Sequence, residues 1–143
     1  MNRDNERFFS FVSGEDGGCR VWTGGLTGAG YGAFWVDGRQ VLAHIYAYRT
    51  WVGPIPDGLQ LDHLCRNRRC VNPAHLEPVT IAENVLRGEG RAARNARKTH
   101  CDSGHRLAGE NLIVKCSPRN PARTWRACRA CERDRSRQRR AAA

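Results

Sequence analysis

LDHLCRNRRCVNPAHL, residues 61–76, places two histidines and two cysteines among basic residues and asparagines. It reads as a structural metal loop, a catalytic centre, or both interleaved. Cys65, Cys70 and His75 are evenly spaced, three candidate metal ligands within eleven residues. A structural zinc takes four thiolate or imidazole ligands in a tetrahedron, so one must come from elsewhere. Cys19 is the one cysteine upstream and is the candidate, although any cysteine would serve if the fold brought it in. Asn72-Pro73 supplies a tight turn that returns His75 to the metal. Buried free cysteines beside a surface histidine are the bland alternative, and three ligands this close argue against it.

With Cys19, Cys65, Cys70 and His75 the site is full, and His63 is left over. A neutral imidazole near pH 7 takes a proton from water. Asp62 stands beside it, and Asn84 follows at a helix start; both offer the hard oxygen atoms that magnesium accepts while keeping waters and binding phosphate. Taken singly, His63 also fits a core histidine and Asn84 a solvated helix residue.

Outward from this stretch, LQLDH (59–63) and LEPV (76–79) read as paired strands. Thr80 and Glu83 form a capping box that starts a helix at about residue 81. Upstream, DNERFFSFV (4–12) reads as a short helix pinning Phe8, Phe9 and Phe11, SGEDGG (13–18) as a loop, and CRVWTG (19–24) as a strand. YGAFWV (31–36) and RQVLAH (39–44) flank Asp37-Gly38, a strong hairpin signal. Residues 43–52 suit a short amphipathic helix that GPIPDG (53–58) ends.

The chain has 143 residues, 40% hydrophobic, with 24 Lys and Arg against 14 Asp and Glu, a formal charge of +10. That suits one domain with an appendage, braced by metal because its apolar core is thin. No apolar run is long enough to cross a membrane, and MNRDNERFF lacks a signal-peptide core. The expectation is therefore a protein of the cytoplasm, with the seven cysteines reduced and used as metal ligands. The excess of arginine, the fork that fits phosphate oxygens, points to nucleic acid.

After residue 86 the composition changes. RGEGRAARNARK (87–98) carries five basic residues against one acid. The expected organisation is residues 1–90 as one domain with a structural zinc, 91–98 as a basic linker, and 99–143 as a second module with a basic tail. In that module Cys101 and His105 face Cys128-x-x-Cys131, a second structural zinc set with finger spacing. Leu107, Leu112, Ile113, Val114 and Trp125 would not suffice as a core, so metal binding and folding are coupled. Cys116 is left over, His100 is off-register and solvated, and the tail RDRSRQRRAAA (133–143) reads as frayed.

DHLCRNRRCVNPAHLEPVTIAEN resembles the HNH nucleases of the His-Me finger superfamily. The resemblance covers roughly residues 19–90 and is greatest to the zinc-containing phage and homing-endonuclease branch related to His-Cys box enzymes. It implies an α+β fold: a ββα-metal nuclease core with a β-hairpin and short helices, followed by the small C-terminal zinc-binding module. It implies a metal-dependent endonuclease hydrolysing phosphodiester bonds of double-stranded DNA, by nicking or double-strand cleavage, in a bacterial or phage-infected cell. His63 would be the general base. Asn84 would ligate the catalytic divalent ion, Mg²⁺ or another, and Asp62 matches an acidic second ligand that many HNH enzymes use. Cys19, Cys65, Cys70 and His75 match the structural Zn²⁺ set. The middle residue of the HNH name has no clear counterpart, and Asn72 would brace the loop instead.

Arg39, His44 and Arg87 are candidates for the scissile phosphate. Arg91, Arg94 and Arg97 of the linker and Arg126 and Arg129 of the module are further DNA-contact candidates. Two other readings compete. A non-catalytic zinc protein that binds DNA and keeps the HNH fold has no need of His63 and Asn84 together. A ribosome-associated or RNA-binding zinc protein explains the charge and the cysteines but not the set Asp62, His63 and Asn84.

Overall fold

The computed structural model describes residues 3–14 and 18–142. The fold is α+β, with short antiparallel strand pairs and helices in two compact units, Met1–Asn84 and Val85–Ala143. None of the described helices is long and apolar enough to cross a membrane.

The first unit is built on aromatic packing. Helix α1 (Arg3–Phe9) buries Phe8. Phe9 and Phe11 remain partly exposed, at 40% and 38%, yet each packs one face on the body, Phe9 against Trp51 at 5.1 Å and Phe11 against Trp22 at 5.4 Å. Strands β1 (Val12–Ser13) and β2 (Val21–Trp22) pair antiparallel. The loop expected over 13–18 lies partly outside the described residues. Trp22, fully buried, stacks near Phe8, Phe11 and Phe34 with centroids 5.0–5.7 Å apart.

Strands β3 (Ala33–Val36) and β4 (Arg39–Leu42) form the expected hairpin. Asp37 and Gly38 both have positive φ, 50° and 71°, the backbone of a type I′ turn, which matches the twist of the flanking strands. Helix α2 (Ala43–Trp51) follows at once and buries Ala43, His44 and Ala47. Its close approach depends on Gly32: a Cβ there would meet the Trp22 ring at 2.8 Å and the Ala43 Cβ at 2.9 Å. Gly32→Ala is therefore expected to destabilise the first unit by about 1–3 kcal/mol, as overpacking does, read as a lower urea midpoint.

Strands β5 (Leu59–His63) and β6 (Leu76–Thr80) pair with His63 opposite Leu76 and Leu59 opposite Thr80. The capping box forms as read: the Glu83 carboxylate accepts from the Thr80 amide and hydroxyl at 2.9 and 2.8 Å, and the Thr80 hydroxyl accepts from the Glu83 amide at 3.2 Å. It opens α3 (Ile81–Arg87).

In the second unit, residues read as a basic linker form α4 (Arg91–Arg97). Alanine and arginine are good helix formers, Ala93 is buried, and Arg97 donates to the Gly88 carbonyl at 2.9 Å. Strands β7 (Leu112–Ser117) and β8 (Asn120–Cys128) make an antiparallel ribbon with a register shift at Cys116/Ser117. The stretch expected to fray is instead mostly helical, within α5 (Arg129–Ala141). Its first turn is anchored: the Ala130 amide donates to Asn111 Oδ1 at 3.0 Å, and Glu132 pairs with Lys115.

Candidate functional site

A set of backbone bonds clips the segment around Cys19 to the loop at 69–72. Val71 N–H donates to the Arg20 carbonyl at 2.7 Å, and Trp22 N–H to the Arg69 carbonyl at 2.8 Å. Asn72 works at both ends of the clip. Its Nδ2 donates to the Gly18 carbonyl at 3.0 Å, and its Oδ1 accepts from the Ala74 amide at 3.1 Å, capping the 3₁₀ turn Pro73–His75. The turn aims the His75 ring back at the cysteines.

The result is a cluster. Ligand atoms of Cys19, Cys65, Cys70 and His75 lie within 4.8 Å of one another. His75 Nδ1 is 3.6 Å from both Cys19 Sγ and Cys70 Sγ. A tetrahedral zinc with ordinary bond lengths implies sulfur–nitrogen edges of about 3.6 Å, so this donor set fits zinc in identity and in size. Burial pushes the Cys70 thiol up to about 12; as a thiolate it requires a cation beside it.

Cys101, His105, Cys128 and Cys131 form a second cluster of the same composition and size. Cys101 Sγ is 3.6 Å from both His105 Nδ1 and Cys131 Sγ. The backbone N–H of Cys131 pulls the Cys128 thiol down to about 6, toward the thiolate that binds metal. Both groups can hold zinc. Cys116 is exposed on β7 and belongs to neither; His100 is exposed.

His63 ends β5 beside the first cluster and is 6% exposed. Its Nε2–H donates to the Cys70 carbonyl at 3.0 Å. A carbonyl only accepts, so that bond sets the tautomer and leaves Nδ1 as the basic nitrogen. Burial lowers the His63 pKa, against the Cys70 bond and the Asp62 charge, which both raise it. Asp62 is buried as well, and its Oδ1 accepts from Arg66 Nη1 at 2.8 Å. Asn84 is half-buried on α3. Because Thr80 pairs with Leu59, α3 leaves the hairpin at the end opposite His63.

The sequence missed the company His63 keeps. The His44 ring lies 4.7 Å from it, and Tyr31 stands near both, at 5.3 Å from His44 and 5.9 Å from His63. His44 is 5% exposed and, among the described residues, its Nδ1 has no hydrogen-bond partner. Burial, with His63 nearby, lowers its pKa to about 4. It is therefore an uncharged packing neighbour of His63 at neutral pH, not an exposed cation waiting for phosphate. No local pattern marks this; only the tertiary fold brings α2 against β5.

The His44 shift has a thermodynamic consequence. The unfolded chain protonates this residue below 6.5, the folded one only near 4, so its share of stability is intact above 6.5 and is lost as pH falls through that window. The full loss is about 3 kcal/mol. Urea midpoints of wild type and His44→Gln should diverge less at about pH 5 than at about pH 7; a gap independent of pH would contradict the assignment.

The other predicted contact residues divide. Arg39, Arg91 and Arg94 are exposed, and Arg87 is half-buried at the end of α3. Arg126 donates to the carbonyls of Asn95, Ala96, Lys98 and Leu107 at 2.8–3.4 Å, closing the end of α4. Arg129 Nε donates to the Glu110 carbonyl at 2.7 Å.

Residues 41–86 match the HNH endonuclease family. That segment contains β5, β6 and most of the first cluster. The chain is 42% identical over 66 residues to Protein 7.7 of Escherichia phage T7, covering 46% of this chain and 51% of that protein. It is 33% identical over 49 residues to an uncharacterized gene 5.3 protein of Enterobacteria phage T3, covering 34% and 48%. It is 27% identical over 109 residues to Protein 2.8 of phage T7, covering 76% and 71%. The chain spans about half the length of the first two relatives. No solved structure matches it.

Proposed function

We propose, from the HNH endonuclease domain at residues 41–86, that the protein is a metal-dependent endonuclease acting on double-stranded DNA. The observation that carries the reading is the buried His63 with its Nε2–H committed to the Cys70 carbonyl. Any buried imidazole N–H needs an acceptor, but this bond also leaves Nδ1 as the one basic atom, which is what a histidine that takes a proton needs at every turnover.

The chemistry is hydrolysis of one P–O bond. His63 Nδ1 accepts a proton from water as its oxygen attacks phosphorus, and the 3′ oxygen leaves. The lowered pKa keeps the ring neutral, and so able to accept, at neutral pH. Asp62 and Asn84 would hold the catalytic divalent cation. Their carboxylate and amide oxygens are the hard donors magnesium takes, and the Asp62 carboxylate is already buried beside His63. When bound, magnesium stabilises charge on the phosphoryl and leaving oxygens. The two cysteine–histidine groups would each hold a structural zinc. The Cys65–His75 loop would fix His63 through the Cys70 carbonyl. The second unit, with its exposed arginines, would lengthen the DNA footprint by phosphate contacts that position without reading sequence.

Incubation of the purified protein with supercoiled plasmid and Mg²⁺ tests this. Nicked or linear product that disappears with EDTA is expected, and which of the two forms shows strand usage. No cutting with any of several divalent metals, with DNA binding intact, would identify a non-catalytic DNA-binding protein on the same fold.

A further inference from the structure

Three arginines crowd the metal loop, Arg66, Arg68 and Arg69, and the structure uses each differently. Arg66 is paired with the buried Asp62 at 2.8 Å. Arg69 directs Nε and Nη2 onto the Trp22 carbonyl at 3.0 and 2.8 Å, so its guanidinium holds the loop to β2. Arg68 is exposed and has no carboxylate partner among the described residues. Its Nη1 donates to the Ala29 carbonyl at 2.9 Å. Its Cζ stands 5.5 Å from the centre of the Tyr31 ring, and that ring lies 5.9 Å from the ring of His63.

A guanidinium has five N–H donors, and one bond to a carbonyl leaves most of them to solvent. The Ala29 bond and the Tyr31 face hold the group in place, which reduces the ordering cost of meeting an anion. We propose that Arg68 is the substrate-binding residue that meets a DNA backbone phosphate flanking the scissile bond, with Tyr31 as its platform. It lies one aromatic ring away from His63. Phosphates on one strand recur every ~3.4 Å of helix rise, so a strand presented to His63 carries its neighbouring phosphates past that position. This assignment rests on the nuclease reading. It differs from the sequence-based candidates: His44 is buried and uncharged, and Arg39 is exposed on β4.

The test is binding of a fluorescent DNA duplex without added divalent cation, followed as anisotropy across a salt series, beside a plasmid assay with Mg²⁺. Arg68→Gln is expected to weaken binding about tenfold, as loss of a charged hydrogen bond does. It should also reduce the slope of log affinity against log salt by about one. Arg68→Lys keeps the charge but not the planar fork, so it should retain the slope and recover only part of the affinity. Arg66→Gln, whose partner is Asp62, should change the slope less than Arg68→Gln. Zinc content and melting temperature establish that each variant is folded. If wild type binds and cuts while folded Arg68→Gln keeps its slope and affinity, the Arg68 assignment is wrong and the nuclease reading stands. If wild type neither binds nor cuts DNA, both fall together.

Discussion

Replacing His63 by alanine is expected to slow plasmid cleavage by about 10²–10⁴-fold, the usual contribution of a positioned general base, with bound zinc unchanged. The imidazole has two tasks. On the proposed mechanism Nδ1 would take the proton, and Nε2–H donates to the Cys70 carbonyl at 3.0 Å. Alanine removes both, so a dead His63→Ala enzyme alone would not separate lost chemistry from a slackened loop. His63→Gln does separate them, because its amide keeps a donor for that carbonyl and has no basic nitrogen. Both variants should be inactive with zinc retained. A zinc-replete variant of either kind that cuts at the wild-type rate would remove His63 from the mechanism.

The second large effect concerns folding. Cys131→Ala is expected to unfold Val85–Ala143 while the first unit stays folded. In the second unit the apolar side chains are poorly covered: Val114 is 66% exposed and Trp125 46%, and among the described residues there Ala93 and Cys128 are the buried ones. Packing on that scale does not offset the ordering of so many residues. Structural zinc contributes roughly 10–16 kcal/mol of apparent binding energy in finger peptides, which exceeds the net stability of about 5–15 kcal/mol of a typical domain. Metal analysis should show the zinc content halved, and amide spectra should show collapsed dispersion for residues after 85. Native-like dispersion there without the metal would show that the unit has a sufficient core.

Much of this was legible in the sequence because the signals are local. Asp37-Gly38 specifies its own turn, Thr80 and Glu83 cap each other across three residues, and both cysteine–histidine sets are spaced for a tetrahedron. Cys19 was legible only as the remaining thiol upstream, and the clip from Gly18–Trp22 to Arg69–Asn72 is the physical reason it fits. What was not legible is the use of each arginine. Arg126 and Arg129 read in the sequence as DNA-contact candidates and Arg69 carries no local mark, yet their guanidinium groups are hydrogen-bonded to backbone carbonyls. Whether an orphan carbonyl stands within reach is decided by tertiary approach, which no spacing encodes. The same holds for His44, whose charge is lost to burial, and for α5, whose first turn is fastened by Asn111 and Lys115 from earlier in the chain.

If the first cluster holds zinc, its spacing favours an order of assembly. Cys70 and His75 are 5 positions apart, whereas Cys19 and His75 are 56 apart. A nascent or unfolded chain can therefore seize an ion with Cys65, Cys70 and His75 as a local chelate, long before the rest is ordered. Cys19 would complete the set once the Arg20–Trp22 segment is zipped onto the loop, as it is in the folded chain. Until then the ion keeps one place for water or a competing thiol. The last ligand would thus act as a latch: zinc held by four ligands would mark a closed body, and zinc held by three would stay exchangeable.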